Sequence, residues 1–207
     1  MKKTLILTIT LLIAAAISGA ADSGKTWDFD HDKPGTSSWN YYSTTGSWQV
    51  RADATAPSKP NVLAQLAKNS RDAFNLALEV GSSYRDLDIS VKMRAIGGTQ
   101  DQGGGVVWRA MDSRNYYVAR YNPLEGNLRL NKVVNNSLVE LANINIMNTP
   151  GWHTLRVTMT DDQIICYFDG TKYLDRRDAT YRQAGQIGLW TKADAQTYFD
   201  DLTVMAK

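Results

Sequence analysis

The chain reads Gly-Trp-His-Thr-Leu-Arg-Val over residues 151–157, Tyr-Phe-Asp-Gly over residues 167–170, Gly-Leu-Trp-Thr-Lys-Ala-Asp over residues 188–194 and Tyr-Phe-Asp-Asp-Leu over residues 198–202. Each segment is a short run in which apolar and polar residues alternate, or the turn that ends such a run. Successive side chains of a β-strand point to opposite faces, so this rhythm is typical of half-buried strands. The C-terminal part of the chain therefore predicts a series of short strands without intervening helices.

The same alternation continues towards the N-terminus. It is clearest over residues 87–94, where Leu87, Ile89, Val91 and Met93 alternate with Asp, Ser, Lys and Arg, which predicts an apolar inner face and a charged outer face. Strands are predicted, in chain order, over residues 73–80, 87–94, 106–110, 115–121, 128–134, 138–144, 153–159, 163–169, 186–191 and 197–204.

The breaks between these runs carry turn residues. Asn135-Asn136 and Asp169-Gly170 tolerate the positive φ that two-residue hairpins of type I′ require. Strands this closely spaced leave no room for crossover helices, so the sheets should be antiparallel. At most one helical turn is expected, near residues 178–183, and residues 54–60 should form an extended loop because they contain two prolines. We predict an all-β protein, an antiparallel two-sheet β-sandwich.

Residues 1–21 have the features of a signal peptide. Lys2 and Lys3 precede an uncharged apolar run over residues 5–17, and small residues follow at 18–21. The run is shorter than the roughly 20 residues that cross a bilayer. We therefore expect cleavage before Asp22, a single mature domain over residues 22–207, export to the periplasm or the extracellular medium, and no membrane attachment after cleavage.

Charge and cysteine content narrow the possible partners. The formal net charge of +2 includes the two lysines of the leader, and no block of basic residues exists, which argues against nucleic acid as a ligand. Cys166 is the only cysteine, so no intramolecular disulfide can form. Its neighbours Ile164, Ile165, Tyr167 and Phe168 predict a buried, unreactive thiol.

The strand pair formed by residues 152–157 and 167–170 resembles the paired strands of laminin-G-like and concanavalin A-like jelly rolls. The similarity extends over residues 29–30, 102–109, 115–120 and 188–194 to a group of exported bacterial jelly-roll proteins close to the 3-keto-disaccharide hydrolases. The resemblance covers residues 27–204 and implies a concanavalin-like jelly roll. Related families include lectin-like modules, hydrolases and lyases. The resemblance therefore implies that the ligand is a carbohydrate, but it does not single out one activity.

Catalytic motifs are missing from the sequence. The three glutamates, Glu79, Glu125 and Glu140, are isolated, whereas retaining glucanases of this fold would place two glutamates close together on one strand. The two histidines, His31 and His153, lie near no serine elbow, and His153 is expected to be structural. Three functions stay open: a carbohydrate-binding protein without catalysis, a glycoside-active enzyme like the 3-keto-disaccharide hydrolases, and a laminin-G-like adhesion module that binds protein.

A saccharide site needs a flat aromatic ring for the apolar sugar face and planar polar groups for the hydroxyls. If residues 110–115 close a hairpin with Arg109 opposite Tyr117, these two side chains share a face with Val107, and Trp108 points into the core. A slip of one residue would exchange the two faces. The predicted ligand-binding residues are Arg109, Tyr117, Arg120, Glu125, Asn127, Trp190, Lys192 and Asp194.

A structural calcium ion is the one cofactor that the sequence suggests. Asp30 and Asp32 follow the first strand, and Asp201 lies in the last. Carboxylate oxygens are the ligands that calcium prefers, and the resemblance to jelly rolls implies a structural calcium near the paired termini. The alternative interpretation is that the first aspartates form an Asx turn and the last caps a strand.

Overall fold

The computed structural model describes residues 24–37 and 41–207, so the predicted signal peptide lies outside the described residues. Regular structure in this part of the chain consists of strands that form two antiparallel sheets, which confirms the predicted β-sandwich. Residues 178–183 form no helical turn. Among the described residues there is no helix with the length and apolar character to span a membrane.

The described residues form fifteen strands, most of them close to the predicted positions. In chain order they are β1 (Lys25–Trp27), β2 (Tyr41–Thr45), β3 (Trp48–Ala52), β4 (Asn61–Gln65), β5 (Phe74–Glu79), β6 (Leu87–Gly97), β7 (Gly104–Asp112), β8 (Asn115–Asn122), β9 (Asn127–Val134), β10 (Ser137–Asn145), β11 (His153–Thr160), β12 (Gln163–Phe168), β13 (Thr171–Arg177), β14 (Gln186–Lys192) and β15 (Gln196–Ala206).

The strands are divided between two sheets. Sheet 1 has the order β13-β12-β11-β6-β15-β4-β3, with β1 also paired to β15, and sheet 2 has the order β10-β9-β8-β7-β14-β5-β2. The hairpins β9–β10 and β12–β13 turn at the predicted dipeptides. Both central residues have positive φ, 50° and 66° at Asn135 and Asn136, and 47° and 79° at Asp169 and Gly170, as a type I′ turn requires.

The core lies between the sheets. Ile89 and Val91 of sheet 1 belong to the same buried cluster as Trp108 and Tyr117 of sheet 2, and the rings of Trp108 and Tyr117 stack with centroids 5.6 Å apart. Cys166 is also buried in this cluster, and burial raises the pKa of its thiol to about 12. The thiol is therefore protonated and unreactive, as the sequence predicted.

The hairpin β7–β8 differs from the predicted register. Trp108, and not Arg109, lies opposite Tyr117, and the next aligned pair is Asp112 with Asn115. Residues 109–111 of β7 therefore face the single residue Tyr116 of β8, and Arg109 has a positive φ of 45°. This bulge shifts the alternation, so Tyr117 points into the core and the predicted face for Arg109 and Tyr117 is wrong.

A buried carboxylate attaches the loop over residues 54–60 to sheet 1. Asp200 of β15 is fully buried and accepts hydrogen bonds from the backbone N–H and the hydroxyl of Ser58, at 2.9 and 2.7 Å. The backbone N–H of Asp201 donates a third bond at 2.7 Å. Burial raises the pKa of Asp200 to about 6 in spite of these bonds.

This carboxylate predicts a pH-dependent stability. Because the folded protein binds the Asp200 proton more tightly than the unfolded chain, at an ordinary pKa of 3.8, its contribution to stability is complete below about pH 4 and is lost as the pH rises through 6. The difference is at most about 3 kcal/mol. Asp178 and Asp194 act in the opposite sense, since their pKa of about 2 in the folded state means that stability is lost as the pH falls through that range.

We therefore expect the Tm to be highest between about pH 4 and 5 and to fall towards pH 7. Thermal melts of the chain from residue 22 on, recorded by circular dichroism at half-unit pH steps, measure this profile. In Asp200→Asn the decrease between pH 5 and 7 should become smaller, whatever the absolute Tm of the variant. A wild-type Tm that is constant from pH 5 to 7 would contradict the assignment.

Candidate functional site

A second apolar cluster lies on the face of sheet 2 that points away from sheet 1. Along each strand these residues alternate with the core residues, so they belong to the opposite face. All described strands belong to one of the two sheets, and sheet 1 covers only the inner face; Phe74 and Leu138 pack at the edge of the cluster. The outer-face cluster consists of Leu76, Leu78, Val107, Ala110, Tyr116, Val118, Val133 and Trp190.

Across this face the side chains change from apolar to polar. One row of cross-strand neighbours runs from Leu76 through Trp190, Gly105 and Arg120 to Arg129. The next row runs from Leu78 through Gly188, Val107 and Val118 to Asn131 and Glu140. In the first row the outer face changes from apolar to polar at β8, and in the second row it changes at β9.

Trp190 and Tyr116 form an aromatic floor together with Val107 and Val118, and all four side chains are fully buried. The indole N–H of Trp190 donates to the Tyr116 hydroxyl at 3.1 Å, although Tyr116 lies four residues, about 13 Å, along β8 from the row of Trp190. Both side chains must therefore lie along the sheet instead of standing away from it. Burial raises the pKa of Tyr116, so its hydroxyl keeps its proton.

Gly105 separates the aromatic floor from the polar side. It lies between Trp190 and Arg120 in the same row, so about 10 Å separate the Cα atoms of those two residues. A Cβ atom at position 105 would lie 1.8 Å from the carbonyl oxygen of Ala119, which requires glycine here. The backbone of β8 therefore packs directly against Gly105, between Trp190 and Arg120 in this row.

The polar cluster, defined as Arg120, Glu125, Asn127, Arg129 and Asn131, is centred on one carboxylate oxygen. Glu125 Oε2 accepts from Arg120 Nη2 at 3.0 Å and from Asn127 Nδ2 at 3.1 Å, and it lies 3.1 Å from Arg129 Nη2. The side chain of Arg120 is 2% exposed, whereas those of Arg129 and Glu125 are 28% and 38% exposed. The polar cluster therefore reaches solvent along its β9 side.

Several buried atoms of the polar cluster make no hydrogen bond to the described residues. They are Nε and Nη1 of Arg120, Oδ1 of Asn127, Nε of Arg129 and Nδ2 of Asn131. Only longer ion-pair contacts reach two of them, Arg120 Nη1 at 3.7 Å from Asp101 and Arg129 Nε at 3.5 Å from Glu140. Buried polar atoms are normally hydrogen-bonded, so five such exceptions within one cluster of the described residues are unusual.

Two carboxyl groups contact Arg120 from different sides and differ in pKa. Burial raises the pKa of Asp101, although the charge of Arg120 opposes this effect. Burial alone would also raise the pKa of Glu125, but hydrogen bonds from Asn127 and Arg120 and the charge of Arg129 outweigh it and hold that pKa below its ordinary value. At neutral pH Glu125 is the ionised partner of the cluster.

Five of the eight residues predicted to bind ligand lie on or beside the outer face of sheet 2. Arg120, Glu125 and Asn127 belong to the polar cluster, and Trp190 forms part of the aromatic floor. Lys192 is two residues from Trp190 on β14 and is paired with Phe74 of β5. Its positive charge lowers the pKa of Asp101. The structure brings these five together without testing whether they bind a ligand.

Arg109 and Tyr117 lie elsewhere. The guanidinium of Arg109 is fully buried and donates to the carbonyl oxygens of Arg85, Tyr181 and Asp161 at 2.6, 2.7 and 2.8 Å. The hydroxyl of Tyr117 donates to Asp178 at 2.6 Å inside the sandwich. Both side chains support loops at the end of the sandwich, and the bulge in β7 is the reason that they leave the predicted face.

Asp194 also has a structural environment. Its carboxylate accepts hydrogen bonds from the backbone N–H groups of Thr99, Gln100 and Asp101 at 2.8 to 3.1 Å. Burial would raise the pKa of Asp194, but these bonds and the Thr99 hydroxyl hold it at about 2. Asp194 thus fixes the loop that carries Asp101 towards Arg120.

The predicted calcium ligands do not assemble. Asp30 accepts from the backbone N–H of Asn61 at 3.0 Å, and Asp201 forms an ion pair with Lys92 at 2.7 Å. Asp28 accepts from the backbone N–H of Asp30 at 3.1 Å, which is the Asx turn of the alternative interpretation. Within residues 24–37 and 41–207, no three His, Cys, Asp or Glu side chains come together as metal ligands. The set Asp30, Asp32 and Asp201 therefore does not fit a calcium ion.

The sequence interpretation missed Tyr116, Arg129 and Asn131. The sequence does contain a signal for Arg129 and Asn131. Together with Asn127 they alternate with two leucines at 128 and 130, so these three polar residues must share one face of β9. What the sequence did not show is that this polar face of β9 lies beside Arg120 of β8.

Neither a protein-family model nor a curated protein matches this sequence. Solved structures match its fold. The carbohydrate-binding module CBM66 from Bacillus subtilis aligns with a TM-score of 0.69 and 17% identity, over 81% of this chain and 96% of that chain. An apo Crh5 transglycosylase aligns with a TM-score of 0.62 and 12% identity, over 90% of this chain and 85% of that chain.

A protein of unknown function with a galectin-like fold, also from Bacillus subtilis, aligns with a TM-score of 0.59 and 12% identity, over 80% of this chain and 89% of that chain. Likeness at this level of identity shows the fold alone. The class of protein is therefore the all-β sandwich of the jelly-roll type.

Proposed function

We propose that this protein is an exported, periplasmic or extracellular, carbohydrate-binding jelly-roll protein whose ligand lies on the outer face of sheet 2. The observation that carries the proposal is the position of the aromatic floor beside a polar cluster with unpartnered buried atoms. A saccharide has an apolar ring face and a rim of hydroxyls, which fit these two halves. A surface for a protein partner would be more uniformly apolar.

Two structures of similar fold agree with the proposal, since one is a carbohydrate-binding module and the other a transglycosylase. The affinity of one site should be modest. One sugar ring on one aromatic side chain buries on the order of 100 Å² of apolar surface, which contributes about 2–3 kcal/mol. Association costs several kcal/mol, so hydrogen bonds from the polar cluster must supply the remainder, and a Kd of roughly millimolar to tens of micromolar is expected.

The first test measures binding of the chain from residue 22 on to a panel of neutral and acidic oligosaccharides, by isothermal titration calorimetry. Asn131→Ala removes one unpartnered amide from the polar cluster and should weaken binding about 3- to 10-fold. Gln163→Ala is the matched control, because it removes an amide from β12 in sheet 1 and should leave the Kd unchanged. No binding to any saccharide on the panel would contradict the proposed function.

The two carboxyl groups at Arg120 favour a second candidate function, a glycoside-active enzyme of the 3-keto-disaccharide hydrolase type. Their pKa values are displaced in opposite directions, upwards at Asp101 and downwards at Glu125, which is the arrangement of an acid and a base in one site. Incubation of the purified protein with 3-keto-glycosides, with product detection by chromatography, tests this candidate. Turnover that Glu125→Gln abolishes would support it, and the absence of turnover would exclude it for these substrates.

A further inference from the structure

The polar cluster has more hydrogen-bond donors than acceptors. Glu125 Oε2 alone serves Arg120, Asn127 and Arg129, all within 3.0 to 3.1 Å. Four of the unpartnered buried atoms are nitrogen donors, two on Arg120, one on Arg129 and one on Asn131, and Asn127 Oδ1 is the one acceptor among them. A ligand that satisfies this site must therefore supply mainly acceptor oxygens.

The neighbouring carboxyl groups do not remove this excess. Glu140 approaches Arg129 at 3.5 Å, and Asp101 approaches Arg120 at 3.7 Å, both beyond good hydrogen-bonding distance. Asp101 instead accepts from the amide of Asn122 at 2.8 Å, and burial raises its pKa. Lys192 adds a further positive charge at the rim, close enough to act on Asp101.

We propose that the saccharide ligand is acidic, with a uronic acid residue whose carboxylate enters the polar cluster at its solvent-exposed side, beside Arg129, and binds among Arg120, Arg129 and Asn131. The inference rests on the proposed function and names its ligand class. A uronate carboxylate presents two charged acceptor oxygens and no donor, so it complements the unpartnered donors. A neutral sugar hydroxyl brings a donor with each acceptor and would leave part of the excess in place. Hydrogen bonds to a charged partner are also the stronger ones.

Neutralising the ligand without changing its sugar tests the proposal. Oligogalacturonates, oligoguluronates and oligomannuronates are titrated into the chain from residue 22 on by calorimetry, each against its fully methyl-esterified form. For at least one uronate we expect the free acid to bind 10-fold or more tightly than the ester. The difference should become smaller between 0.05 and 0.5 M NaCl, since salt screens the charges.

Two arginine variants locate the carboxylate. Arg129→Gln should reduce the ratio between the affinities for free acid and ester about 10-fold, because it removes a charged donor. The side chain of Arg129 is partly exposed, so the substitution should leave the core intact. Arg156→Gln is the matched control, since Arg156 is half-exposed and paired with Asp88 on sheet 1. It should leave the preference for the free acid unchanged.

The remaining outcomes separate this inference from the proposed function. Equal binding of acid and ester, or binding of neutral saccharides only, would overturn the uronate assignment and leave a carbohydrate-binding protein. Binding of dextran sulfate with no binding of any uronate would also overturn it, because the anionic group would then be a sulfate ester. No binding of any saccharide would overturn the proposed function itself.

Discussion

Replacing Arg109 with methionine is expected to lower the free energy of unfolding by about 3–5 kcal/mol, because it removes the partner of a buried charge network. The guanidinium of Arg109 is fully buried and joins three carbonyl oxygens and the carboxylate of Asp86, 3.1 Å away. In Arg109→Met the carbonyls and the carboxylate would remain without their donor. Urea denaturation at pH 7, followed by intrinsic tryptophan fluorescence, measures the change.

Arg85→Met is the control for this experiment. Its guanidinium pairs with Asp161 on the surface, and both side chains are more than half exposed, so its loss should cost about 0–1 kcal/mol. The carbonyl oxygen of Arg85 still accepts from Arg109 in that variant. An Arg109→Met protein of unchanged stability that fails to bind saccharide would contradict the structural role and restore the ligand role expected from the sequence.

Replacing Trp190 with alanine is expected to weaken saccharide binding about 10- to 100-fold. The indole supplies the largest apolar surface of the aromatic floor and carries the N–H that holds the Tyr116 hydroxyl. Because Trp190 is fully buried, its loss acts on the ligand through collapse of the floor beside Arg120, which corresponds to about 1–3 kcal/mol of binding free energy. Calorimetry with the tightest ligand found on the panel measures the effect, with circular dichroism to confirm that the variant is folded.

Two further variants make the tryptophan result specific. Trp190→Phe keeps an aromatic ring beside Phe74, whose centroid is 5.6 Å from that of Trp190, and should retain most of the binding. Trp152→Ala removes a half-buried indole that faces Thr55 on the side of sheet 1 and should leave the Kd unchanged. If Trp190→Ala, shown to be folded, binds as tightly as the wild type, then the ligand does not lie on the outer face of sheet 2.

The alternation of apolar and polar residues was sufficient to predict most of the strands. The run from Leu87 to Met93 became β6 with the expected face in the core, and the Asn-Asn and Asp-Gly dipeptides formed the expected turns. Strands β1 to β4 were not predicted. The strand Thr171–Arg177 was also not predicted, because its buried side chains are few and its charges many. It is an edge strand of sheet 1, and an edge strand needs less apolar surface.

The candidate site was predictable only in part. Trp190, Arg120 and Asn127 were identified as residue types that bind sugars, whereas Arg109 and Tyr117 had the same chemical character and belong to the interior. The difference arises from the bulge in which residues 109–111 face one residue of β8. A bulge changes which side chains share a face without changing the composition of either strand.

The amino-acid sequence by itself determined the all-β class, ten of the fifteen strands and the two hairpin turns at residues 135–136 and 169–170, because each depends on neighbours within a few residues of the chain. The tertiary structure decided which side chains meet across strands. It placed Arg120 beside Arg129, Trp190 across Gly105 from Arg120, and Glu125 at the centre of three donors. These contacts depend on the register between strands and on strand order, which local alternation leaves open.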